Sequence, residues 1–335
     1  MNRLRDRRLW LGLAITALAL WFAFRDISWS ELGHQLGRAN WWLLLGASLP
    51  AYVWSTLLRA QRWRVLARGV ADVPVGAAFR ATAVGFLVNN LLPLRIGELV
   101  RVWWLAREVR SSMAALLGTW MLERVIDGVF LLGLASIVIG SQVGRGVLLA
   151  AATVPLLATL ALRRWPGPAL RSVRRCAGLV LSPARADRIT GTAGAVARGL
   201  AALRGGKDFA RMVALTFLHW GVAAVIPFWA ALAALDVDVG GWLDSLHAAL
   251  LILVYVAAAV ALPAAPGFVG PYHAACRYAL TPLGVPKELA LALGTLAHAV
   301  FWVGTTLIGL AALRGGIQRL REALTGAERD IQGGG

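Results

Sequence analysis

Asn89-Asn90-Leu91-Leu92-Pro93-Leu94-Arg95-Ile96-Gly97-Glu98-Leu99-Val100-Arg101 follows without a break on the apolar run Ala81 to Val88. Two side-chain amides, a proline, a glycine and three charges stand where an apolar helix would otherwise continue. Downstream, the otherwise apolar segment Ser112 to Gly140 carries Glu123, Arg124 and Asp127. A charge at the centre of a bilayer costs at least ~2.5–3.5 kcal/mol on insertion scales, so it faces a partner, a cavity or a substrate. Irregular backbone at that depth persists only inside protein or beside water. The stretch predicts a polar pathway or binding site inside a membrane.

Composition agrees with that setting. The 335 residues are 59% hydrophobic and 15% charged, with several apolar runs near the ~20 residues that cross a bilayer core. The net charge of +17 would point to nucleic acid in a soluble chain. Here the arginines fall in short segments between apolar runs, as the positive-inside rule requires, and no nucleic-acid partner is implied. Cys176 and Cys276 are too few and too far apart for a disulfide framework. Arg3 to Arg8 followed by Leu9 to Phe24 has the shape of a secretory signal. The bulky Trp21, Phe22 and Phe24 occupy the place of a cleavage site, so an uncleaved first span is expected.

Apolar candidates are Leu9–Phe24, Trp41–Leu58, Val75–Leu92, Ala114–Gly140, Val147–Leu162, Ala210–Leu235, Leu243–Leu262 and Leu289–Leu313. Arginines give their sidedness. Arg3, Arg5, Arg7 and Arg8, then Arg59, Arg62, Arg64 and Arg68, then the eleven Lys/Arg of 163–211, and finally Arg314, Arg319 and Arg321 all read as cytoplasmic. Met212 to Cys276 has no Lys or Arg, and Asp236, Asp238 and Asp244 mark its polar loop as external. Eight full crossings contradict this pattern. Six spans and two re-entrant hairpins, Val75–Arg110 from inside and Leu243–Leu283 from outside, satisfy it. The expected protein is an all-α, polytopic inner-membrane protein with both termini in the cytoplasm. A single transmembrane domain takes residues 1–320, with a basic cytoplasmic loop at 163–209 and a short tail at 321–335. Trp10, Trp21, Trp41, Trp42, Trp63, Trp165 and Trp242 fall near span ends and read as interfacial anchors.

The two hairpins share a pattern. Pro93-Leu-Arg-Ile-Gly97 matches Pro266-Gly-Phe-Val-Gly270, and Leu117-Gly118-Thr119 matches Leu293-Gly294-Thr295, at offsets of 173 and 176 residues. Half-repeats over about 41–140 and 208–313, entering from opposite sides, form the inverted repeat of many secondary transporters.

The polar residues suggest chemistry. Arg95, Glu98 and Arg101 are three apart and share one face if helical; Glu123 and Asp127 do so at a spacing of four. Pairing Glu98 with Arg124, and Asp127 with Arg95 or Arg101, makes a buried ionic clasp. The same guanidinium groups suit a phosphate, since Arg offers a planar fork of donors. Asn89 and Asn90 either cap a half-helix or contact headgroup oxygens. The second hairpin offers Pro263, Pro266, Gly267, Gly270 and Pro271 with Tyr272, His273, Arg277 and, on the next helix, His298 as its polar neighbours; His298 reads as a satisfied core residue. There is no His-x-x-x-His pair, Asp-rich metal loop, Walker glycine loop or Gly-x-Ser-x-Gly elbow, so neither cofactor, metal nor enzymatic activity is implied.

Gly85-Phe86-Leu-Val-Asn89-Asn90-Leu-Leu-Pro93-Leu-Arg95-Ile-Gly97-Glu98-x-x-Arg101, Glu123-Arg124-Val-Ile-Asp127 and Pro266-Gly267-Phe-Val-Gly270 with His298 resemble the lysylphosphatidylglycerol synthase transmembrane-region family, also called the flippase-like domain family, over about residues 8–318. The resemblance implies translocation or handling of polar lipids, either phospholipids or polyprenyl-phosphate-linked sugars. No soluble aminoacyl-transfer domain is read after residue 320, so lipid aminoacylation is not implied. Pro271-Tyr272-His273 stands where the family commonly has an acidic residue. The expected function is translocation or binding of an anionic lipid through Asn89, Asn90, Arg95, Glu98, Arg101, Glu123, Arg124 and Asp127. Pro266, Gly267, Gly270, Tyr272, His273 and His298 form the outer gate. The alternatives are a non-transporting partner of a glycosyl- or lipid-transferase docked on the basic loop, and a membrane-embedded lipid-phosphate transferase with Glu98 or Asp127 as base.

Overall fold

The structure, a computed structural model, describes residues 7–92, 95–178, 182–201, 205–261, 266–313 and 316. Pro93, Pro263, Arg3, Arg5, Arg314, Arg319, Arg321 and the tail 321–335 lie outside the described residues. Every regular element among the described residues is helical. In chain order these are α1 (Arg7–Phe24), α2 (Trp29–Arg38), α3 (Trp41–Ala67), α4 (Val75–Leu91), α5 (Gly97–Glu108), α6 (Met113–Val138), α7 (Gly140–Val143), α8 (Arg145–Arg164), α9 (Pro166–Gly178), α10 (Pro183–Leu200), α11 (Gly206–Phe217), α12 (Ile226–Ala234), α13 (Trp242–Ala261), α14 (Pro271–Leu280) and α15 (Lys287–Ala312). Short π and 3₁₀ turns occupy Leu218–Ala223, Pro266–Phe268 and Thr281–Leu283.

Among the described residues, five stretches are long and apolar enough to cross a membrane: Trp41–Ala67, Arg145–Leu162, Gly206–Ala234, Trp242–Ala261 and Lys287–Ala312. At 26 residues α6 is as long as α15, and Glu123, Arg124 and Asp127 interrupt its apolar run. The run expected over Ala210–Leu235 is divided. A π turn at Leu218–Ala223 separates α11 from α12, where Pro227 at the start of α12 removes a backbone donor.

The chain divides into two compact units. Unit 1 takes Met1–Thr56, Thr82–Val100 and Leu218–Gly335. In it α14 packs on α1, α13 and α15. Glycines let backbones approach, as small residues do between membrane helices. A Cβ on Gly294 of α15 would stand 2.8 Å from Cys276 Cβ of α14; on Gly304 it would stand 3.1 Å from Leu49 of α3, and on Gly309 2.6 Å from Leu87 of α4. Three glycines on one helix thus face three different neighbours. At the start of α1's partner helix, Gly270 meets the Thr16 carbonyl oxygen, and Arg277 Nη1 donates to the last carbonyls of α1, at 2.8 Å to both Phe22 and Ala23. That guanidinium satisfies acceptors a helix end leaves open.

Unit 2 takes Leu57–Ala81 and Arg101–Phe217. Here α6 is the spine, packed by α8 and α10. Val65, Leu66, Leu122, Leu200 and Met212 form a buried core. The basic loop is expected to be solvated, and only part of it is. Arg164, Arg171, Arg174, Arg175, Arg185, Arg188 and Arg198 are exposed, but Ala186, Ala195, Ala197, Gly199 and Leu200 of α10 are buried. A Cβ on Gly118 of α6 would stand 2.1 Å from the Val196 carbonyl oxygen, and one on Gly199 2.1 Å from that of Ala115. The two helices meet backbone to backbone.

Candidate functional site

In unit 1 two helix breaks come together. The first separates α4 from α5. Asn89 Oδ1, from the last turn of α4, accepts the Gly97 amide at 2.8 Å and so supplies a partner for the start of α5. Gly97 is packed so closely that a Cβ there would stand 2.0 Å from the Gly85 carbonyl oxygen. Arg95 does not sit on the helix with Glu98 and Arg101, as their spacing suggests. It precedes α5 in a left-handed conformation, φ 56°. Its Nη2 lies 4.0 Å from Glu98 Oε1, while Nη1 donates to the Val260 carbonyl at 2.9 Å.

The second break is the segment between α13 and α14. Gly267, Phe268 and Gly270 have φ of 69°, 62° and 92°. A phenylalanine in that region is strained and is held there by its surroundings. Phe268 lies under the Arg95 guanidinium, 5.7 Å from ring centroid to charge. Trp302 of α15 packs on Gly267 and donates through Nε1 to the Asn90 carbonyl at 3.3 Å. Asn90 Nδ2 reaches Thr305 Oγ1 at 2.9 Å and Thr306 Oγ1 at 3.0 Å. Of the two asparagines, one caps and the other ties α4 to α15.

His298 Nε2 lies 2.6 Å from the Gly267 carbonyl oxygen, and its ring stacks on Tyr272 at 4.7 Å and meets His273 edge-on at 5.0 Å. Pro266 opens the turn and Gly270 closes it before α14. The proposed gate residues are therefore contiguous, and His298 is satisfied by the turn it braces.

In unit 2 a second cluster gathers around α6. Glu123 is fully buried and Asp127 nearly so. Arg101 Nη2 donates to Glu123 Oε2 at 2.7 Å. Arg124 Nη2 stands 3.3 Å from Glu123 and 3.0 Å from Asp127. The remaining Asp127 oxygen accepts from Arg62 of α3. The pairing differs from the one the spacing suggests: Asp127 is held by Arg62 and Arg124, and Glu123 by Arg101 and Arg124. The cause is α3, which brings Arg62 with no exposed surface, and Arg59 within electrostatic range of both carboxylates. In this unit four guanidinium groups face two carboxylates. Arg62 Nε and Nη1 are buried and make no hydrogen bond among the described residues.

Trp63 is not an interfacial anchor. It is fully buried, its ring carries the Arg101 guanidinium at 4.3 Å, and its Nε1 donates to Thr119 Oγ1 at 3.0 Å. Arg59, Arg62, Trp63, Phe268, Trp302, Thr305 and Thr306 are thus site residues that sequence reasoning assigned elsewhere or passed over. For Arg59, Arg62 and Trp63 a signal existed: their three-to-four spacing places them on adjoining turns of one helix, at and just beyond the ~20 residues a bilayer core requires.

Charged groups buried in this way either brace each other or bind a ligand of opposite sign. Comparison with known proteins gives the setting. No curated protein and no solved structure matches the chain. The family model described as Lysylphosphatidylglycerol synthase TM region matches residues 9–309. With its apolar helices, the chain is a multi-pass membrane protein linked to lipid handling, and it belongs to the lysylphosphatidylglycerol synthase transmembrane-region family.

Proposed function

We propose that the protein binds a polar lipid by an anionic headgroup and passes that headgroup across the inner membrane while the acyl chains stay in the bilayer. The observation that carries this reading is the cluster on α6: four arginines with two carboxylates, and buried donors on Arg62 that no acceptor among the described residues takes. A phosphate oxygen is the acceptor that suits such donors, since guanidinium–phosphate bonds are charge-assisted and directional. Arg62, Arg101 and Arg124 bind the phosphate; Glu123 and Asp127 hold the arginines in place and release them as it enters.

Asn89, Asn90, Arg95 and Glu98 form the polar part of the first hairpin, and Pro266 to His298 the gate on the other. Both hairpins are re-entrant and related as an inverted repeat. Supporting this are the contact of the two breaks through Arg95 and Phe268, and the same order of parts in each half. A helix, a break, a short helix of 12 or 10 residues and a helix of 26 residues follow one another twice. Broken helices that meet beside the substrate are the plan of many transporters.

The test is native mass spectrometry of lipids retained by the purified protein, in wild type, Arg62→Gln and Arg95→Ala, with folding checked by thermal unfolding. One anionic lipid class held by wild type and lost by at least about tenfold in Arg62→Gln, a difference of ~1.4 kcal/mol, supports the reading. The same unselective profile in all three proteins refutes it and leaves a structural ionic clasp.

A further inference from the structure

Unit 2 contains a cavity of about 540 Å³ whose lining includes none of the charged residues of the α6 cluster. Leu162 at the end of α8, Leu170 and Val173 of α9, Ile189 of α10 and Met121 of α6 form its apolar walls, and Arg188 is the charged residue of its lining. Its size lies inside the ~300–1,000 Å³ range of small-molecule sites.

The surroundings say what fits. Helix α8 has a mean hydropathy of 1.8 over Arg145–Leu162 with only 6% of that stretch buried, and it exposes Val147, Val154 and Leu157. Such a surface faces acyl chains. Arg164 ends its apolar run, so the cavity beside Leu162 lies where hydrocarbon gives way to headgroups. Helix α9 sets Ala169, Leu170, Val173 and Ala177 on one side, and exposes Arg171, Arg174 and Arg175. That is the pattern of a helix lying in the membrane interface. Arg174 Nε pairs with Asp187 Oδ1 at 2.9 Å and ties α9 to α10, where Arg185 and Arg188 are also exposed. The opening is basic and the interior apolar.

We infer that this cavity takes an acyl chain of an anionic glycerophospholipid from the surrounding leaflet, with the lipid phosphate held by Arg188 and the arginines of α9. The site is separate from the α6 cluster and does not depend on transport. A lipid seated there would fasten α9 and α10 to α6 and α8.

The experiment uses the full chain in nanodiscs with three photoreactive probes: phosphatidylglycerol and phosphatidylcholine bearing the same diazirine acyl chain, and that chain as free fatty acid. The expected result is labelling of peptides within 162–200 by the phosphatidylglycerol probe, at least about fivefold above either other probe, since anionic headgroups are drawn to basic surfaces. Ala193 also lines the cavity, so Ala193→Phe, which fills it, lowers that labelling, and Arg188→Gln narrows the difference between the two phospholipids. Equal labelling by the two phospholipids overturns the inference, as does strongest labelling by the fatty acid. Undiminished labelling of a folded Ala193→Phe protein overturns it too. Should Ala193→Phe fail to fold, the comparison of the three probes on wild type decides alone.

Discussion

The guanidinium of Arg101 lies 4.3 Å from the centre of the Trp63 ring, inside unit 2, where neither residue is appreciably exposed. An aromatic face steadies a cation without cancelling its charge. Arg101 therefore keeps its bond to Glu123 and still contributes to the positive surplus of the cluster. Trp63 is fixed in turn by Thr119, one turn before Glu123 on α6. The ring is a wall of the site as much as a part of the core.

Substitution at Trp63 separates these roles. Trp63→Phe keeps a ring under Arg101 and loses the Thr119 bond, a cost of ~0.5–1.5 kcal/mol. Trp63→Ala loses ring, bond and volume, ~3–5 kcal/mol. Thermal unfolding of the purified protein should rank wild type above Trp63→Phe and Trp63→Phe well above Trp63→Ala. If the two variants melt together, the ring contributes nothing to Arg101.

The Arg62–Asp127 pair is buried at both ends, so removing one partner strands the other. Arg62→Met and Asp127→Leu should each cost ~3–5 kcal/mol, because an uncompensated charge remains. Together they should cost clearly less than their sum, by ~0.5–3 kcal/mol of coupling. A double-mutant cycle on unfolding free energy measures it. Strict additivity would mean that Arg124 alone holds Asp127.

The helices of this protein are legible because their apolar runs are long: α4 ends at Leu91 and α13 at Ala261, within a residue of where the sequence places them. The first motif is legible too, since amides and charges inside an apolar run have few explanations. What is hidden is partnership. Arg62 and Asp127 are 65 residues apart, and an arginine near the end of an apolar run reads as a topology signal before it reads as a ligand. Trp63 is misread for the same reason. Helix α10 is hidden differently. It docks on α6 through Gly199 and the Val196 backbone, with Ala195 and Ala197 buried nearby, and small residues in backbone contact leave almost no hydrophobic periodicity to detect. Arg95 departs from its helical face because the chain turns left-handed there, which spacing alone does not reveal.

The two asparagines should behave differently although they are adjacent. Asn89→Ala removes the acceptor for the Gly97 amide, worth ~1 kcal/mol as caps usually are. Asn90→Ala removes the tie between α4 and Thr305 and Thr306 of α15. Hydrogen exchange should show faster exchange at the start of α5 in the first variant. In the second, the change should appear in the last turn of α4 and around 302–306. The same exchange pattern in both variants would contradict separate roles.

Two glycine substitutions, one in the first hairpin and one on α6, should act in opposite directions. Alanine normally stabilises a helix relative to glycine by ~0.5–1 kcal/mol. At Gly128 of α6 nothing stands within 4 Å of the added methyl group, so Gly128→Ala should raise the melting temperature slightly. At Gly97 the same methyl would stand 2.0 Å from the Gly85 carbonyl oxygen and 2.6 Å from Asn89 Oδ1. The first is backbone and cannot swing aside, so α4 and α5 must separate, and the Asn89–Gly97 bond lengthens or breaks. Overpacking of this kind costs ~1–3 kcal/mol. Gly97→Ala should therefore melt below wild type while Gly128→Ala melts at or above it. If Gly97→Ala is as stable as wild type, α4 and α5 do not pack as closely as their glycines allow.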